Sequence, residues 1–261
     1  MTNINYLSGA IDASGCVGQA WELFKRNPGL YLGAGLVTLL MISCIPFVNF
    51  LLLGPVMGGY AYLVLHDLQG ESIEFGMLFK GFEKFVPLML LGLIQSIPGI
   101  TFQIVQYTVD ISRLMGGPGT GDADFYQASG PGMSGIQTGL MAGMFVFFFG
   151  YMFFQMLWNA VLTFAIPLVV EHNVSVGEAV RLSFGAVFSN LGGLILLVIF
   201  NGLVGLLGML ALCVGIFVAL PITFAANVIA YRQVFPMNDG PSFQTTPPSP
   251  DVYGGSFGRG V

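Results

Sequence analysis

Long apolar stretches alternate along the chain with short segments in which polar and apolar residues mix. A helix needs about 20 apolar residues to cross a bilayer, with a range of roughly 17–25. Six stretches have about this length or more: 29–45, 48–66, 85–111, 135–170, 191–210 and 212–231. The pattern therefore predicts an all-α fold, a polytopic transmembrane helical bundle of about six spans.

Two of these stretches depart from a simple crossing. The first two are short and meet at Ile45–Asn49, so a full hairpin and a re-entrant hairpin both remain open. The fourth stretch is too long for one straight crossing. We expect it to project beyond the outer face or to bend near Gly150.

Three short segments in front of the hairpins have apolar residues at helical spacing: Val17–Lys25, Phe75–Phe82 and Val176–Phe184. Residues three or four positions apart share a helix face, so we predict amphipathic interfacial helices. The expected stripes are Phe75, Leu78, Phe79, Phe82 and Phe85 in the second segment, and Val176, Val180, Phe184, Val187, Phe188 and Leu191 in the third. Ser175 and Glu178 fit a capping box that starts the third helix.

The same order of elements occurs three times. Each amphipathic segment is followed by two spans, and the second span of each pair contains a proline, namely Pro55, Pro167 or Pro221. We interpret this order as a three-fold repeat of interfacial helix plus hairpin, although membrane hairpins also resemble one another by chance. Each proline removes a backbone hydrogen bond and predicts a helix kink. A role in packing is favoured over a functional waist.

Composition supports the membrane class. The chain has 261 residues, 55% of them hydrophobic, and only 8% are charged. Soluble domains carry about 25% charged residues. The formal net charge of -5 argues against a nucleic-acid partner, because binding to phosphates requires a basic face.

Basic residues predict the orientation. With the N-terminus inside, one basic residue, Arg113, lies outside. The others fall on the inner side: Lys25, Arg26, Lys80, Lys84, Arg181, Arg232 and Arg259. The positive-inside rule then places both termini in the cytoplasm.

These patterns divide the chain into three parts. Residues 1–28 form an N-terminal segment with an interfacial amphipathic helix, and residues 29–235 form a six-span transmembrane domain. Residues 236–261 form a Pro- and Gly-rich tail that we expect to be disordered in the cytoplasm. The Gly-rich outer loop 112–134 lacks the Gly-Lys-Ser/Thr sequence of a phosphate-binding loop.

No motif for catalysis, metal binding or cofactor binding is found, so we expect no enzyme activity and no cofactor. The polar side chains singled out within the spans are amides: Gln155, Asn159, Asn201 and Asn227. Gln155 and Asn159 share a helix face, and Asn201 and Asn227 lie in the last two helices, where they can face each other. Hydrogen bonds between helices are the favoured interpretation, and a polar path is the alternative.

Small residues at four-residue spacing predict close helix packing. The motifs are Gly29-x-x-x-Gly33, Gly54-x-x-x-Gly58 and Gly135-x-x-x-Gly139-x-x-x-Gly143. Such faces let backbones approach each other within one chain or between copies. The expected partners are membrane lipids and either a second membrane protein or another copy of the chain.

Several short motifs suggest a family. They are Trp21–Pro28 entering the first span, Gly54-Pro55, Leu78–Phe82, Glu178-Ala179 followed by Ser183, and Pro221 with Ala230–Arg232. The chain resembles, over about residues 17–235, bacterial polytopic inner-membrane proteins of unassigned function, similar to the membrane domain fused to some glycerophosphodiester phosphodiesterases. The resemblance implies a six-helix fold in a bacterial inner membrane and carries over no catalytic residue.

Two functions follow as hypotheses. The first is a non-enzymatic integral membrane protein that acts as an accessory or scaffold subunit of a membrane assembly, or organises lipid. The second is a transporter or channel for a neutral or weakly polar solute, suggested by the amides and the proline-containing spans.

Overall fold

The fold is an all-α helical bundle, as predicted. A computed structural model describes residues 4–43, 48–115, 134–211 and 214–237. Its α-helices in chain order are α1 (Ala13–Arg26), α2 (Pro28–Ser43), α3 (Val48–Leu68), α4 (Phe85–Met115), α5 (Ser134–Leu162), α6 (Ala165–His172), α7 (Val176–Ser189), α8 (Leu191–Leu210) and α9 (Val214–Val234). A 3₁₀-helix, Phe75–Lys84, precedes α4.

Within the described residues, five helical segments are long and apolar enough to cross a membrane. They are Asn49–Leu68, Phe75–Thr108, Phe145–His172, Leu191–Leu210 and Gly215–Val234. The remaining predicted span, 29–45, corresponds to α2, whose apolar part Pro28–Met41 is shorter than a full crossing. A helix of its 16 residues is about 24 Å long, against a hydrocarbon core of about 30 Å.

The fourth predicted span is interrupted, but not near Gly150. Helix α5 runs without a break through Gly150 and ends at Leu162, and α6 begins at Ala165. The described interruption of this span therefore lies after Leu162, and the bend near Gly150 and the projection beyond the outer face stay predictions. Pro167 lies in the first turn of α6, where its missing N–H costs no helical hydrogen bond, so it marks a break and not a kink. Pro55 and Pro221 lie inside α3 and α9.

The three amphipathic segments are helical. Asp12 caps α1 by accepting a hydrogen bond from the Gly15 N–H, and Ser175 caps α7 through the Glu178 N–H, as the capping box predicts. The second segment is the 3₁₀-helix. A helix stands in front of each predicted hairpin, in the order that the repeat requires.

The predicted stripes are only partly buried. In α7 the buried face consists of Ala179, Ser183, Ala186 and Val187, whereas Phe184, Phe188 and Leu191 are exposed. In the second segment Leu78 is buried, and Phe75, Phe79 and Phe85 are exposed. The residues of each predicted stripe are therefore divided between a buried face and an exposed face. Small residues bring the helices close, and the large aromatic residues face outward.

One end of the bundle, which we call the base, holds most of the core. It comprises α1, the 3₁₀-helix, α6, α7 and the parts of α2, α3, α4 and α9 that adjoin them. Its largest buried side chains include Tyr31, Tyr60, Phe164, Tyr231 and Phe235. The Leu7 N–H donates to the Val234 carbonyl oxygen at 2.9 Å, so the N-terminal segment and the end of α9 meet here.

Glycine allows the close packing around α3. A Cβ atom on Gly54 would overlap the Leu88 carbonyl oxygen of α4, and one on Gly59 would overlap the Leu78 carbonyl oxygen of the 3₁₀-helix. The Gly54–Gly58 motif is therefore a contact within this chain. Gly29 faces open space, and Gly33 makes only ordinary contact with Phe75, so the first predicted motif has no comparable role.

The opposite end has little packing. We call residues 104–111 of α4 and 142–150 of α5 the outer arms. Next to the arms, Phe102 of α4 stacks on Tyr151 of α5, with ring centroids 4.9 Å apart. Beyond it, each consecutive residue from Phe145 to Phe149 is exposed.

Several predictions lie outside the described residues. These are the core of the Gly-rich loop (116–133), the tail from 238 to 261, and the junction 44–47 between the first two spans.

Candidate functional site

A cavity of about 250 Å³ lies where α5 gives way to α6. Residues of α3, α4, α5, α6 and α9 line it, together with Thr163 in the turn between α5 and α6. The polar groups in its wall are Tyr60, Gln95, Asn159, Thr163 and Asn227. Among the described residues that line it, none carries a charge.

One wall is an amide ladder between α4 and α5. The Gln95 Nε2 donates to Asn159 Oδ1 at 3.0 Å, and Asn159 Nδ2 donates to the Gln155 carbonyl oxygen at 2.8 Å. The Trp158 indole N–H donates to the Ile94 carbonyl oxygen at 3.0 Å. Thr163 Oγ1 donates to the Asn159 carbonyl oxygen at 2.9 Å. The oxygen and the nitrogen of the Asn159 side-chain amide therefore both take part in hydrogen bonds.

The facing wall belongs to α9. Asn227 lines the cavity, and its Oδ1 accepts a hydrogen bond of 3.0 Å from Asn201 Nδ2 of α8. The structure thus joins the two asparagines that the sequence analysis placed opposite each other. The pairs Gln95–Asn159 and Asn201–Asn227 both form hydrogen bonds between helices. Both members of the first pair line the cavity, and Asn227 does so in the second.

Two polar atoms of the wall are left without a partner. Within the described part of the chain, no hydrogen bond engages Gln95 Oε1 or Asn227 Nδ2, and neither is a fully buried atom. The first is an acceptor and the second is a donor. The cavity therefore presents one acceptor and one donor in an otherwise apolar and uncharged wall.

Two further amide oxygens are buried behind the wall. Gln155 Oε1 and Asn201 Oδ1 have no hydrogen-bond partner among the described residues. Buried polar groups are usually paired, and an unpaired one costs about 1–3 kcal/mol. Two unpartnered amide oxygens therefore lie buried next to the cavity-lining residues Asn159 and Asn227.

The three prolines differ in their relation to the cavity. Pro167 forms part of its floor. Pro221 packs against Gly35 of α2, and its carbonyl oxygen accepts a 3.0 Å hydrogen bond from the Tyr60 hydroxyl, so it is tied to a lining residue. Pro55 lies under the 3₁₀-helix, where a Cβ atom on Gly81 would overlap its carbonyl oxygen. The prolines do not form one common waist.

Charged residues pair at the base. Glu171 accepts hydrogen bonds from the Tyr231 hydroxyl at 2.6 Å and from Arg232 at 2.7 Å. Tyr31 donates to the buried Asp67 at 2.6 Å. His66 pairs with Glu71, and not with the neighbouring Asp67. These contacts hold helices together at the base.

The described residues contain no cluster of His, Cys, Asp and Glu that could hold a metal ion. Cys16 is buried against Gln233, and burial raises the pKa of its thiol to about 12. The thiol is therefore protonated at neutral pH and is a poor nucleophile.

A second, wholly apolar groove of about 470 Å³ runs between α1, α8 and α9. Its wall includes Val17 and Trp21 of α1 and Leu207 of α8. Lys25 lies 6.0 Å from the centre of the Trp21 ring. The groove therefore has an apolar wall, and the Lys25 ammonium lies near one of its lining residues, Trp21.

Sequence reasoning identified the amides but not the cavity. Tyr60 and Pro167 become part of one site because α5 ends at Leu162, and no residue type at that position predicts a helix end. Neither Thr163 nor Phe164 is a helix-breaking residue type. Pro167 is the nearby residue that indicates an irregular helix, and on the sequence alone it predicts a kink.

No family model, no curated protein and no solved structure matches the chain. The family resemblance described above therefore rests on short motifs alone, and the function must be argued from the geometry.

Proposed function

We propose that the chain is a non-enzymatic integral membrane protein that serves as an accessory or scaffold subunit, and that the outer arms are its docking face. The observation that carries this proposal is the exposure of five consecutive residues, Phe145–Phe149, on α5. A helical turn takes 3.6 residues, so no side of the helix is covered at this level by the described chain.

The composition of this region favours a protein partner over lipid alone. Lipid tails are as apolar as leucine, so helices associate in membranes through close packing and small residues. Gly143 and Gly150 have open space in front of them, on a helix segment that also exposes Phe145, Phe149 and Phe153. Aromatic side chains supply most of the contact energy at many interfaces.

We propose a bacterial inner membrane as the location, with both termini in the cytoplasm. Two observations support this orientation. The N-terminal segment meets the end of α9, so both lie at the base. Each amphipathic segment at this end carries an exposed aromatic residue near a basic one, such as Trp21 with Lys25 and Phe79 with Lys80, and this pairing is typical of a membrane interface.

Native mass spectrometry of the protein extracted into lipid nanodiscs tests the scaffold proposal. We expect a stoichiometric second chain with the wild type and with the control Leu203→Ala/Leu206→Ala on exposed α8 positions. The variant Phe149→Ala/Phe153→Ala should lose that chain. All four side chains are exposed, so the folds should be equally stable. Retention of the second chain by both variants would contradict docking at the arms.

Organisation of lipid is the other form of this proposal. The apolar groove between α1, α8 and α9 supports it, because its volume suits a single acyl chain. In the same experiment, copies of this chain alone with retained lipid would favour that form.

Transport of a neutral or weakly polar solute is the second candidate, and the amide-lined cavity supports it. The test is flux into liposomes reconstituted with wild type and with Gln155→Leu/Asn159→Leu. Transport predicts flux in wild type and its loss in the variant. Flux that is absent in wild type, or equal in both, would exclude this candidate.

A further inference from the structure

We propose that the cavity binds a small uncharged molecule that carries both a hydrogen-bond donor and an acceptor, of the amide or alcohol class. The inference extends the second candidate function to a ligand class. Binding is nevertheless measured separately from flux, so the site can exist without transport.

The unpartnered atoms of the wall define the ligand's polar groups. Gln95 Oε1 is an acceptor and requires a donor from the ligand, whereas Asn227 Nδ2 is a donor and requires an acceptor. A carboxamide or a hydroxyl group provides both at once. A hydrocarbon chain in the same place would leave both wall atoms unpaired, at a cost for each.

The rest of the wall excludes charge. The described lining residues carry none, and the cavity lies between membrane-spanning helices. A charged ligand would lose its hydration with no counter-ion to compensate, and this cost far exceeds that of an uncharged polar group with partners.

Volume limits the size of the ligand. A cavity of about 250 Å³ corresponds to about eight water molecules at about 30 Å³ each. A ligand of similar bulk is a single ring or a short chain. Apolar lining residues such as Met57, Leu162 and Phe224 suit a molecule with one polar edge and an apolar body.

δ-Valerolactam meets these conditions and serves as the probe. Its ring amide presents an N–H and a C=O side by side, and its remaining atoms are methylene groups. δ-Aminovalerate, the same molecule with the ring opened by hydrolysis, carries an ammonium and a carboxylate. Both probes have the same chain of carbon atoms and no net charge, but only the open-chain probe carries charged groups.

The fluorescence of a native tryptophan can report binding in the cavity. Trp21 and Trp158 are its two tryptophans, and Trp158 directly precedes the lining residue Asn159. Replacement of the exposed Trp21 by Phe leaves Trp158 as the sole source of indole fluorescence. The Trp158 indole N–H donates a hydrogen bond to the Ile94 carbonyl oxygen of α4. A ligand in the cavity should therefore change the fluorescence emission of Trp158.

The full chain with Trp21→Phe is titrated in nanodiscs with each probe. We expect a saturable change in Trp158 emission with δ-valerolactam and none with δ-aminovalerate. Gln95→Met retains the bulk but removes the free acceptor, and should weaken binding about three- to tenfold. The control Gln106→Leu removes an exposed amide elsewhere on α4 and should leave the affinity unchanged.

Asn227→Leu removes the free donor and should weaken binding by a similar factor. It also removes the partner of Asn201, whereas Gln95→Met removes the partner of Asn159. The two variants break different hydrogen-bonded pairs, so either one that folds tests the proposal. Equal responses to both probes, a non-saturable response, or unchanged affinity in Gln95→Met would overturn the proposal. Saturable binding without flux would exclude transport and leave the binding site intact.

Discussion

The base and the outer arms are built from similar residue types but differ in how these are used. At the base, aromatic side chains such as Tyr31 and Tyr231 are buried, and each donates a hydrogen bond to a carboxylate. In the outer arms, aromatic side chains such as Phe147 and Phe149 are exposed. An apolar sequence alone does not separate the two environments.

Small residues and polar anchors make the difference. Gly54 and Gly59 let backbones meet at the base, and Asn190 ties the N-terminal segment down by accepting from the Ala10 N–H and donating to the Leu7 carbonyl oxygen. In the outer arms, a Cβ atom added to Gly143 or Gly150 would meet open space. The base is therefore closely packed within this chain, whereas the described side chains of the arms are exposed.

Adding a methyl group should separate the two regions most strongly. Gly59→Ala places a Cβ atom against the Leu78 carbonyl oxygen, and we expect a loss of about 3 kcal/mol in the free energy of unfolding. Gly143→Ala, in open space, should cost nothing and can stabilise the helix slightly. Thermal unfolding in nanodiscs measures both. Equal destabilisation by the two variants would contradict the comparison.

Removal of a buried hydroxyl tests the polar anchors of the base. Tyr31→Phe leaves the buried Asp67 without its partner, and we expect a loss of about 2 kcal/mol in the free energy of unfolding. Tyr62→Phe is the control, because within the described residues the Tyr62 hydroxyl makes no hydrogen bond. Denaturant unfolding should show a larger loss of stability for Tyr31→Phe than for Tyr62→Phe. A control that loses as much as Tyr31→Phe would show that the pair contributes nothing specific.

The asparagine pair beside the cavity should respond asymmetrically. Asn227→Leu leaves the whole Asn201 amide without a partner and should cost about 1 kcal/mol. Asn201→Leu breaks the same bond but also removes an oxygen that is already unpaired, so it should cost less. The free energies of unfolding of both variants, measured under the same conditions, show which substitution costs more. The reverse order would mean that Asn201 Oδ1 is paired in the membrane.

The smallest expected effect is a pH dependence at the cap of α1. Hydrogen bonds from the Gly15 N–H and the Ser14 hydroxyl lower the pKa of Asp12 below its ordinary value of 3.8. The folded state therefore binds a proton less readily than the unfolded state, and the stabilisation is present above pH 3.8 and lost as the pH falls through the folded pKa. Asn is an equally good cap but does not titrate. The stability of the wild type relative to Asp12→Asn should accordingly fall as the pH drops below 3.8, and a constant difference would contradict the assignment.

The fold was largely predictable because hydrophobic length and helical spacing are local properties. The helices around the predicted spans and the Ser175 cap follow directly from them. The buried faces were not predictable in the same way, since Ala179 and Ser183 are buried by close approach to other helices while the larger Phe184 and Phe188 face outward.

The candidate site shows the same limit. Asn201 and Asn227 could be paired in advance because the two helices form one hairpin. The partner of Asn159 is Gln95, which lies on the preceding span 64 residues earlier, and the cavity depends on the break at Thr163. Contacts of that kind are set by tertiary packing and leave no local signal.

Site-specific photo-crosslinking tests the role of the outer arms most directly. p-Benzoylphenylalanine is placed at Phe149, which is 66% exposed on the arm, and separately at Met209, which is 64% exposed on α8. Irradiation in the native membrane should give one discrete protein adduct at Phe149 and only lipid adducts at Met209. Lipid adducts alone at both positions would contradict a docking role for the arms.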